Sequence, residues 1–291
     1  MDIMDLEKTC RAVRRDIINL TADAASGHPG GSLSSVEIVV TLFFDKMHVD
    51  PTDPKMTDRD RFVLSKGHAA PCYYGVLAER GFFDRSAFKS FRQINGILQG
   101  HPDVLKCPGV DASTGSLGQG ISIAVGMALG ARLSGNGARV YTLLGDGELQ
   151  EGQVWEAAMA AAHYKLDNLT VIIDHNGLQI DGSNDQVMSL GNIKDKFTAF
   201  GFEVVEVADG NDLKQISDAF DVPVAGKPKC ILAHTLKGKG VSYMEGQVDW
   251  HGKGPNEEQR QIALKDLAEP EGADPEKISV LDNRTGAEGC A

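Results

Sequence analysis

The sequence predicts an α/β protein with a mostly parallel sheet and helices on both faces of it. Between residues 139 and 234, short apolar runs alternate with longer stretches of helical periodicity. This alternation is typical of parallel strands joined by crossover helices. The chain has 291 residues, of which 42% are hydrophobic, and this is enough for a substantial core. A Gly- and Pro-containing stretch at 95–115 is expected to be a long loop, and such loops are often functional.

The first half of the chain is predicted to be mainly helical. Apolar residues recur every three or four positions from residue 5 onward, until the segment SGHPGGS interrupts the pattern. The elements expected in this half are helices at 5–25, 34–44, 71–92 and 116–133, and a strand at 61–64. The last of these helices is rich in Ala and Gly, which permits close packing against a neighbour.

The second half carries the regular alternation. The expected strands are 139–144, 169–174, 202–207 and 229–234, and the expected helices are 152–164, 192–200 and 211–220. Open sheets of this kind bind ligands beyond the carboxyl ends of their strands. Residues 266–291 are polar and contain Pro, Gly and Asp, so we expect a folded domain over 1–265 followed by a loose tail.

Charge and composition exclude several classes of partner. The net charge is −12 and the pI is near 5.1, which argues against a nucleic-acid partner or an anionic membrane. No apolar run approaches membrane-spanning length, and the acidic N-terminal segment does not resemble a signal peptide. Five cysteines stand at no metal-ligand spacing. A reduced, cytoplasmic protein with free thiols is therefore expected.

Acidic and amide side chains follow two of the predicted strands. The run VYTLL ends in Gly145-Asp146-Gly147, and the next strand ends in DHNGLQIDG, which contains Asn176. Adjacent parallel strands would present Asp146 and Asn176 side by side. One carboxylate with one amide oxygen is a good half-site for Mg²⁺, which keeps water and phosphate oxygens as its other ligands. The two glycines let the backbone approach a diphosphate closely.

Two other phosphate-binding motifs do not fit. The nearest approach to a Walker loop, Gly226-Lys227, is followed by Pro228 and lacks the hydroxyl that binds magnesium. The segment GSLGQG at 115–120 has the wrong glycine spacing for a dinucleotide fingerprint and does not follow a predicted strand. A plain dinucleotide-binding module is therefore disfavoured.

The complete pattern resembles a known family. The GDG triplet followed at this interval by Asn resembles the magnesium–thiamine diphosphate motif. Six segments, in order along residues 26–253, resemble transketolases: SGHPGGSLS, SKGHAA, GHPD…PGVDASTGSLGQG, GDGELQEG, DHNGLQIDG and KGKGVSYMEGQVDWHGK. The resemblance implies the thiamine diphosphate-binding (PP-type) fold. It also implies transfer of a two-carbon ketol unit from a ketose phosphate to an aldose phosphate, as in the pentose phosphate pathway.

The resemblance assigns roles to individual residues. The Mg²⁺ ligands it implies are Asp146, Asn176 and the backbone carbonyl of Leu178. The implied cofactor contacts are Gly147 through its N–H to the diphosphate, Gly115 and Leu117 at the aminopyrimidine, and Glu151 near the contact with the partner's pyrimidine-binding domain. Glu148 is interpreted only as a favourable charge at a helix N-terminus.

Four histidines match family positions around the thiazolium and the sugar. These candidate catalytic residues are His28, His68, His101 and His251, and His68 and His251 are cofactor contacts as well. Ketol transfer moves protons on and off sugar hydroxyls near neutral pH, which imidazole does well. Lys237 and His251 are expected to neutralise the diphosphate. His48 and His163 are interpreted as ordinary surface or core residues.

Transketolases usually have a second thiamine-binding domain and a C-terminal domain, which we do not expect within these 291 residues. In the family, those domains supply the glutamate that activates the cofactor and the arginines that bind the sugar phosphate. We therefore expect a natural N-terminal subunit, rather than a fragment, that works with a separate C-terminal subunit in a heterotetramer. A dihydroxyacetone synthase, a 1-deoxyxylulose-5-phosphate synthase and a non-catalytic thiamine diphosphate-binding protein remain alternatives. The segments SGHPGG and WHGK favour transketolase over the deoxyxylulose-phosphate synthase.

Overall fold

A five-stranded parallel sheet organises the chain in the computed structural model, which describes residues 2–268. Its strands are β1 (Arg61–Leu64), β2 (Val140–Gly145), β3 (Leu169–His175), β6 (Glu203–Val207) and β7 (Lys229–His234). They lie in the order β1-β2-β3-β7-β6, and each neighbouring pair is parallel. A short antiparallel ribbon, β4 (Leu178–Gln179) with β5 (Gly182–Ser183), follows β3.

Helices cover both faces of the sheet, as the sequence predicted. The α-helices of the described residues are α1 (Ile3–Asp23), α2 (Pro29–Leu33), α3 (Val36–Thr41), α4 (Ala70–Arg80), α5 (Gln119–Ser134), α6 (Gly152–His163), α7 (Asn184–Met188), α8 (Ile193–Ala199), α9 (Leu213–Asp221) and α10 (Glu257–Asp266). Helices α1, α3, α4 and α9 contribute to one buried core, and α5, α6 and α8 contribute to the other.

Alternate side chains of the central strands enter the two cores. Leu143 and Ile172 pack in the first core, whereas Leu144 and Ile173 pack in the second. This period of two is the geometry of a strand buried on both faces, and it explains the continuous apolar runs in the sequence. In the β2–β3 pair Gly145 lies opposite Asp174, so both strands end at the same edge of the sheet.

The predicted helix over 71–92 is wrong beyond residue 80. Helix α4 ends at Arg80 because Gly81 takes a left-handed conformation with φ of 95°, which closes the helix. A separate 3₁₀ segment, Arg85–Ser90, follows and is capped by the Asp84 side chain. The apolar spacing runs across this break, which is why periodicity alone missed it.

Two helix starts also differ from expectation. Helix α2 begins within the segment SGHPGGS, where a break was predicted, because Pro29 occupies the first helical turn. Helix α5 begins at Gln119 rather than 116, since Gly118 is left-handed with φ of 83°. The later start of α5 leaves residues 116–118 outside the helix, where the N–H of Gly118 donates to Glu148 after the end of β2.

Helix α10 was not predicted, and it reaches the start of the expected tail. It ends at Asp266, whose side chain accepts hydrogen bonds from the backbone and hydroxyl of Ser242, and Leu267 is buried. Most of the predicted tail, 269–291, lies outside the described residues, so the domain division at 265 stays a prediction. Within 2–268, no helix has the length and apolar character that a membrane crossing needs. Cys10, Cys72, Cys107 and Cys230 are free and buried.

The burial of β2 predicts the cost of truncating it. Leu143→Ala should lower the free energy of unfolding by about 2–5 kcal/mol, because it opens a cavity between β2 and the first core. Urea denaturation would measure it. Leu105→Ala is the matched control, since that side chain is 92% exposed and its loss should change stability by less than about 0.5 kcal/mol. Equal losses from the two variants would contradict this packing.

Candidate active site

A cavity of about 210 Å³ opens beyond the carboxyl ends of β2 and β3. Its wall contains most of the residues that the sequence singled out. They are His68, Leu117, Asp146, Gly147, Glu151, Asn176, Leu178, Lys237 and His251. His28, His101 and Gly115 lie next to this wall rather than in it, and their contacts are described below.

The adjacent strands bring Asp146 and Asn176 together. The Asp146 carboxylate accepts hydrogen bonds from the backbone N–H groups of Gly147 (2.8 Å) and Gly177 (2.6 Å). The Asn176 amide oxygen accepts one from the N–H of Leu178 at 3.2 Å. Burial and the nearby charge of Asp174 raise the pKa of Asp146 to about 6. A cation bound beside Asp146 would strongly favour the ionised form of this carboxylate.

A buried ion pair behind this site was missed by the sequence analysis. Lys66 is 1% exposed, and its ammonium group donates to Asp174 and, at 2.8 Å, to the carbonyl of Gly31. Burial alone would raise the pKa of Asp174, but the charge and hydrogen bond of Lys66 hold it below its usual value. The segments SKGH and DHNG contained both residues, yet nothing in their spacing indicated that they would meet.

Glu148 connects three segments of the site by hydrogen bonds and is not only a charge at a helix end. Its carboxylate accepts hydrogen bonds from the hydroxyl of Ser65 and from the N–H groups of Gly118 (2.8 Å) and Gly145 (3.1 Å). The side chain is buried, and burial raises its pKa. Glu148 therefore ties the ends of β1 and β2 to the start of α5, which corrects the interpretation that the sequence alone suggested.

The four candidate histidines form one cluster. The ring centroid of His28 lies 5.2 Å from that of His68, 5.5 Å from His251 and 6.3 Å from His101. The rings of His68 and His251 are 5.2 Å apart. A Cβ on Gly115 would stand 3.1 Å from the His101 ring, so this glycine allows the loop to pass beside that histidine. The prediction that these residues meet is consistent with the geometry.

Lys237 links the histidine cluster to Leu178, which follows the end of β3. Its buried ammonium group lies 2.9 Å from Nδ1 of His251 and donates to the carbonyl of Leu178 at 3.2 Å. Burial and the charge of Lys237 lower the pKa of His251 to about 3. Because Nδ1 accepts from Lys237, the neutral ring carries its proton on Nε2. Burial and the charge of Lys66 lower the pKa of Lys237 to about 8.

Arg92 is a further residue that the sequence analysis did not select. Its guanidinium group donates to the hydroxyl of Ser26 at 3.2 Å and lies 3.4 Å from Nδ1 of His28. Its backbone is left-handed, with φ of 56°, an uncommon conformation for a residue other than glycine. Burial and the charge of Arg92 lower the pKa of His28 to about 4. The lowered pKa values keep these histidines neutral near pH 7, so each ring can donate one hydrogen bond and accept another.

The residues present fit a magnesium-bound diphosphate. The oxygens of Asp146, Asn176 and Leu178 are hard donors of the kind Mg²⁺ prefers. Among the described residues, no group of three or more His, Cys, Asp and Glu side chains is arranged to hold a metal, so phosphate oxygens would have to complete the coordination. Asn184, buried beside Gly147, has no hydrogen-bond partner for either side-chain polar atom within 2–268. Buried side-chain amides normally have hydrogen-bond partners, so the Asn184 amide has unused hydrogen-bonding capacity beside Gly147.

Comparison with known proteins assigns the family. A family model described as the thiamine diphosphate binding domain of transketolase matches residues 5–280. The chain belongs to the transketolase family. It is 42% identical over 271 residues to a subunit of the apulose-4-phosphate transketolase of Phocaeicola vulgatus, covering 92% of this chain and 96% of that protein. It is also 40% identical over 272 residues to a 6-deoxy-6-sulfo-D-fructose transketolase subunit, SqwG, of a Clostridium species. This match covers 93% of this chain and 98% of that protein.

Single-chain transketolases match over less of their length. Human transketolase is 41% identical over 249 residues, which are 85% of this chain and 40% of that protein. The structure of transketolase from Leishmania mexicana superposes with a TM-score of 0.85 at 32% identity, covering 95% of this chain and 44% of that one. The expected fold is thereby confirmed, and the chain spans about two fifths of the length of these relatives.

The depressed pKa of His28 predicts a pH dependence of stability. The unfolded chain, with an ordinary histidine pKa near 6.5, binds more protons than the folded chain, so stability falls as pH drops from about 6.5 towards about 4. His28→Asn should flatten this decline. Urea midpoints across that pH range would measure it, with His163→Asn, an exposed histidine on α6, as the control. An unchanged slope in His28→Asn would contradict the neutral state inferred for this ring.

Proposed function

We propose that this chain is the thiamine diphosphate- and Mg²⁺-binding N-terminal subunit of a two-subunit transketolase. It would transfer a two-carbon ketol unit from a ketose phosphate to an aldose phosphate together with a separate C-terminal subunit. One observation carries the proposal: Asp146 and Asn176 stand beside a cluster of neutral histidines at a single cavity. The family membership agrees with it.

The cofactor site is proposed residue by residue. Asp146, Asn176 and the carbonyl of Leu178 would hold Mg²⁺, and the N–H of Gly147 would bind the diphosphate. Lys237 and His251 would add positive charge and a hydrogen bond to the same group. The aminopyrimidine would lie against Leu117 and Gly115, with His68 on the thiazolium side and Glu151 towards the partner.

Bound thiamine diphosphate supplies a stabilised carbanion that can cleave a ketose carbon–carbon bond. The chain's own residues handle protons and orientation. His28, His68 and His101 would accept protons from, and return them to, the hydroxyls of the sugar. The Nε2–H of His251 is a hydrogen-bond donor, because Lys237 occupies Nδ1. Arg92 holds the His28 ring in place from its Nδ1 side.

A partner subunit is proposed because the chain spans only part of single-chain transketolases, whereas two relatives of matching length are named as subunits. Several apolar side chains of the cavity wall, α5 and α6 are exposed. Leu117 at this wall is followed along α5 by Ile123 and Leu133, and Met159 of α6 is exposed as well. We propose that the C-terminal subunit, carrying the activating glutamate, covers this surface in a cytoplasmic heterotetramer.

For the substrate, we propose a chemical class rather than a single compound. The names of the relatives include a sugar phosphate, apulose-4-phosphate, and a sulfonated sugar, 6-deoxy-6-sulfofructose. We propose a ketose with an anionic terminal group, with pentose phosphate pathway sugars to be tested first. Related ketol-transfer synthases share this half-site. A non-catalytic thiamine diphosphate-binding protein has no reason to place four histidines together, which disfavours that alternative.

Reconstitution tests the proposed reaction. The chain, Mg²⁺ and thiamine diphosphate would be mixed with a ketose donor and an aldose acceptor, with and without the C-terminal half of a split transketolase. Xylulose-5-phosphate and 6-deoxy-6-sulfofructose would serve as parallel donors. Product is expected only with the partner. Turnover by the chain alone would overturn the assignment of the activating glutamate to the partner, and cofactor binding without turnover on any donor would favour the non-catalytic alternative.

Removal of the Asp146 charge tests the metal assignment. Asp146→Asn should weaken Mg²⁺-dependent binding of thiamine diphosphate by more than about 100-fold. Replacing a residue that only supports a metal ligand already lowers metal affinity by about 10–100-fold. Isothermal titration calorimetry of the reconstituted complex would measure this. Asp185→Asn removes an exposed carboxylate on nearby α7 and should bind normally. Normal binding by Asp146→Asn would exclude Asp146 as a metal ligand.

A further inference from the structure

The fully buried carboxylate of Asp174 faces the side-chain amide of Asn176. The distance from Asn176 Nδ2 to Asp174 Oδ2 is 3.0 Å, and Asp174 is 0% exposed. A carboxylate that is ionised can only accept hydrogen bonds, so the neighbouring amide must turn its NH₂ group towards it. The amide oxygen of Asn176 is then directed to the other side, where it receives the N–H of Leu178.

Asp174 is itself held from several directions. Oδ2 also accepts from the ammonium group of Lys66 and from the hydroxyl of Ser34 at 2.7 Å, and Oδ1 accepts from the hydroxyl of Thr235. These donors come from the segment after α2, the loop after β1 and the segment after β7, so the carboxylate is fixed relative to the whole sheet edge. A charge-assisted network of this density leaves Asp174 little freedom to rotate.

We propose that Asp174 is a positioning residue that sets the orientation of the Asn176 amide, so that its oxygen rather than its NH₂ group faces the metal. This inference rests on the proposed magnesium site. Lys66 contributes by balancing the Asp174 charge, which would otherwise stand uncompensated beside the Asp146 ligand. Supporting groups of this kind orient the ligands in many metal sites.

The proposal predicts an unusual result for a variant that adds a metal-binding charge. Asn176→Asp replaces an amide by a carboxylate, which ordinarily strengthens binding of a divalent cation. Here the new carboxylate would face Asp174 across about 3.0 Å, where the NH₂ group now donates. Mn²⁺ affinity should therefore fall by at least about tenfold in Asn176→Asp.

Asn176→Asp should have the opposite effect in the Asp174→Asn background, where residue 174 carries no charge. In Asp174→Asn the Asn176 amide is free to rotate, and Mn²⁺ affinity should drop about 10–100-fold. Adding Asn176→Asp to that variant removes the need for orientation, because both terminal atoms are then oxygens. The double variant should recover at least about tenfold of the loss. Thr235→Val removes a bond to the other oxygen of Asp174 and should change the affinity by less than about threefold.

Electron paramagnetic resonance of Mn²⁺, titrated with thiamine diphosphate into the full chain together with its C-terminal subunit, gives these affinities without relying on turnover. Circular dichroism melting of each variant would establish that it is folded. Higher affinity in Asn176→Asp, or the same direction of change in both backgrounds, would overturn the role of Asp174 while leaving the metal site intact. Absence of Mn²⁺ binding by the wild type would overturn the proposed metal site itself, and this inference with it.

Discussion

The arrangement of the site depends on the parallel pairing of β2 with β3. Because the two strands run in register with Gly145 opposite Asp174, both strands leave the sheet at one edge and deliver Asp146 and Asn176 together. This edge would carry two buried carboxylates at close range if nothing intervened. Lys66, arriving from the end of β1, neutralises Asp174 and leaves the negative charge of Asp146 available to a cation.

The histidine cluster depends on two further cations, the buried Lys237 and the half-buried Arg92. Lys237 lies against His251, and Arg92 lies against His28, so both rings are kept neutral by positive neighbours as well as by burial. Neutral imidazoles can exchange protons with hydroxyl groups, and the remaining cationic charge suits an anionic cofactor. In the proposed function, the same side chains would support binding of a diphosphate and proton transfer at a neighbouring position.

Much of this could be predicted because the motifs are local. The GDG triplet and the Asn that follows the next strand lie at strand ends, where short-range sequence decides the geometry. The four histidines were selected because their segments resemble those of transketolases. Lys66, Asp174 and Glu148 were missed or misinterpreted because their roles arise from burial and from contacts between distant segments. Helix α4 was extended too far because apolar periodicity continued past the left-handed Gly81 that ends it. Residues that bind the sugar phosphate could not be inferred, since the family resemblance places them outside the two fifths of single-chain transketolases that these residues match.

Anomalous diffraction from crystals grown with Mn²⁺ and thiamine diphosphate tests the central claim most directly, namely that the edge formed by β2 and β3 is a metal–diphosphate site. The account predicts one anomalous peak at about 2.1–2.2 Å from oxygens of Asp146, Asn176 and Leu178, slightly longer than the spacing expected for Mg²⁺. A peak between the paired rings of His175 and His234, or away from this edge altogether, would contradict it.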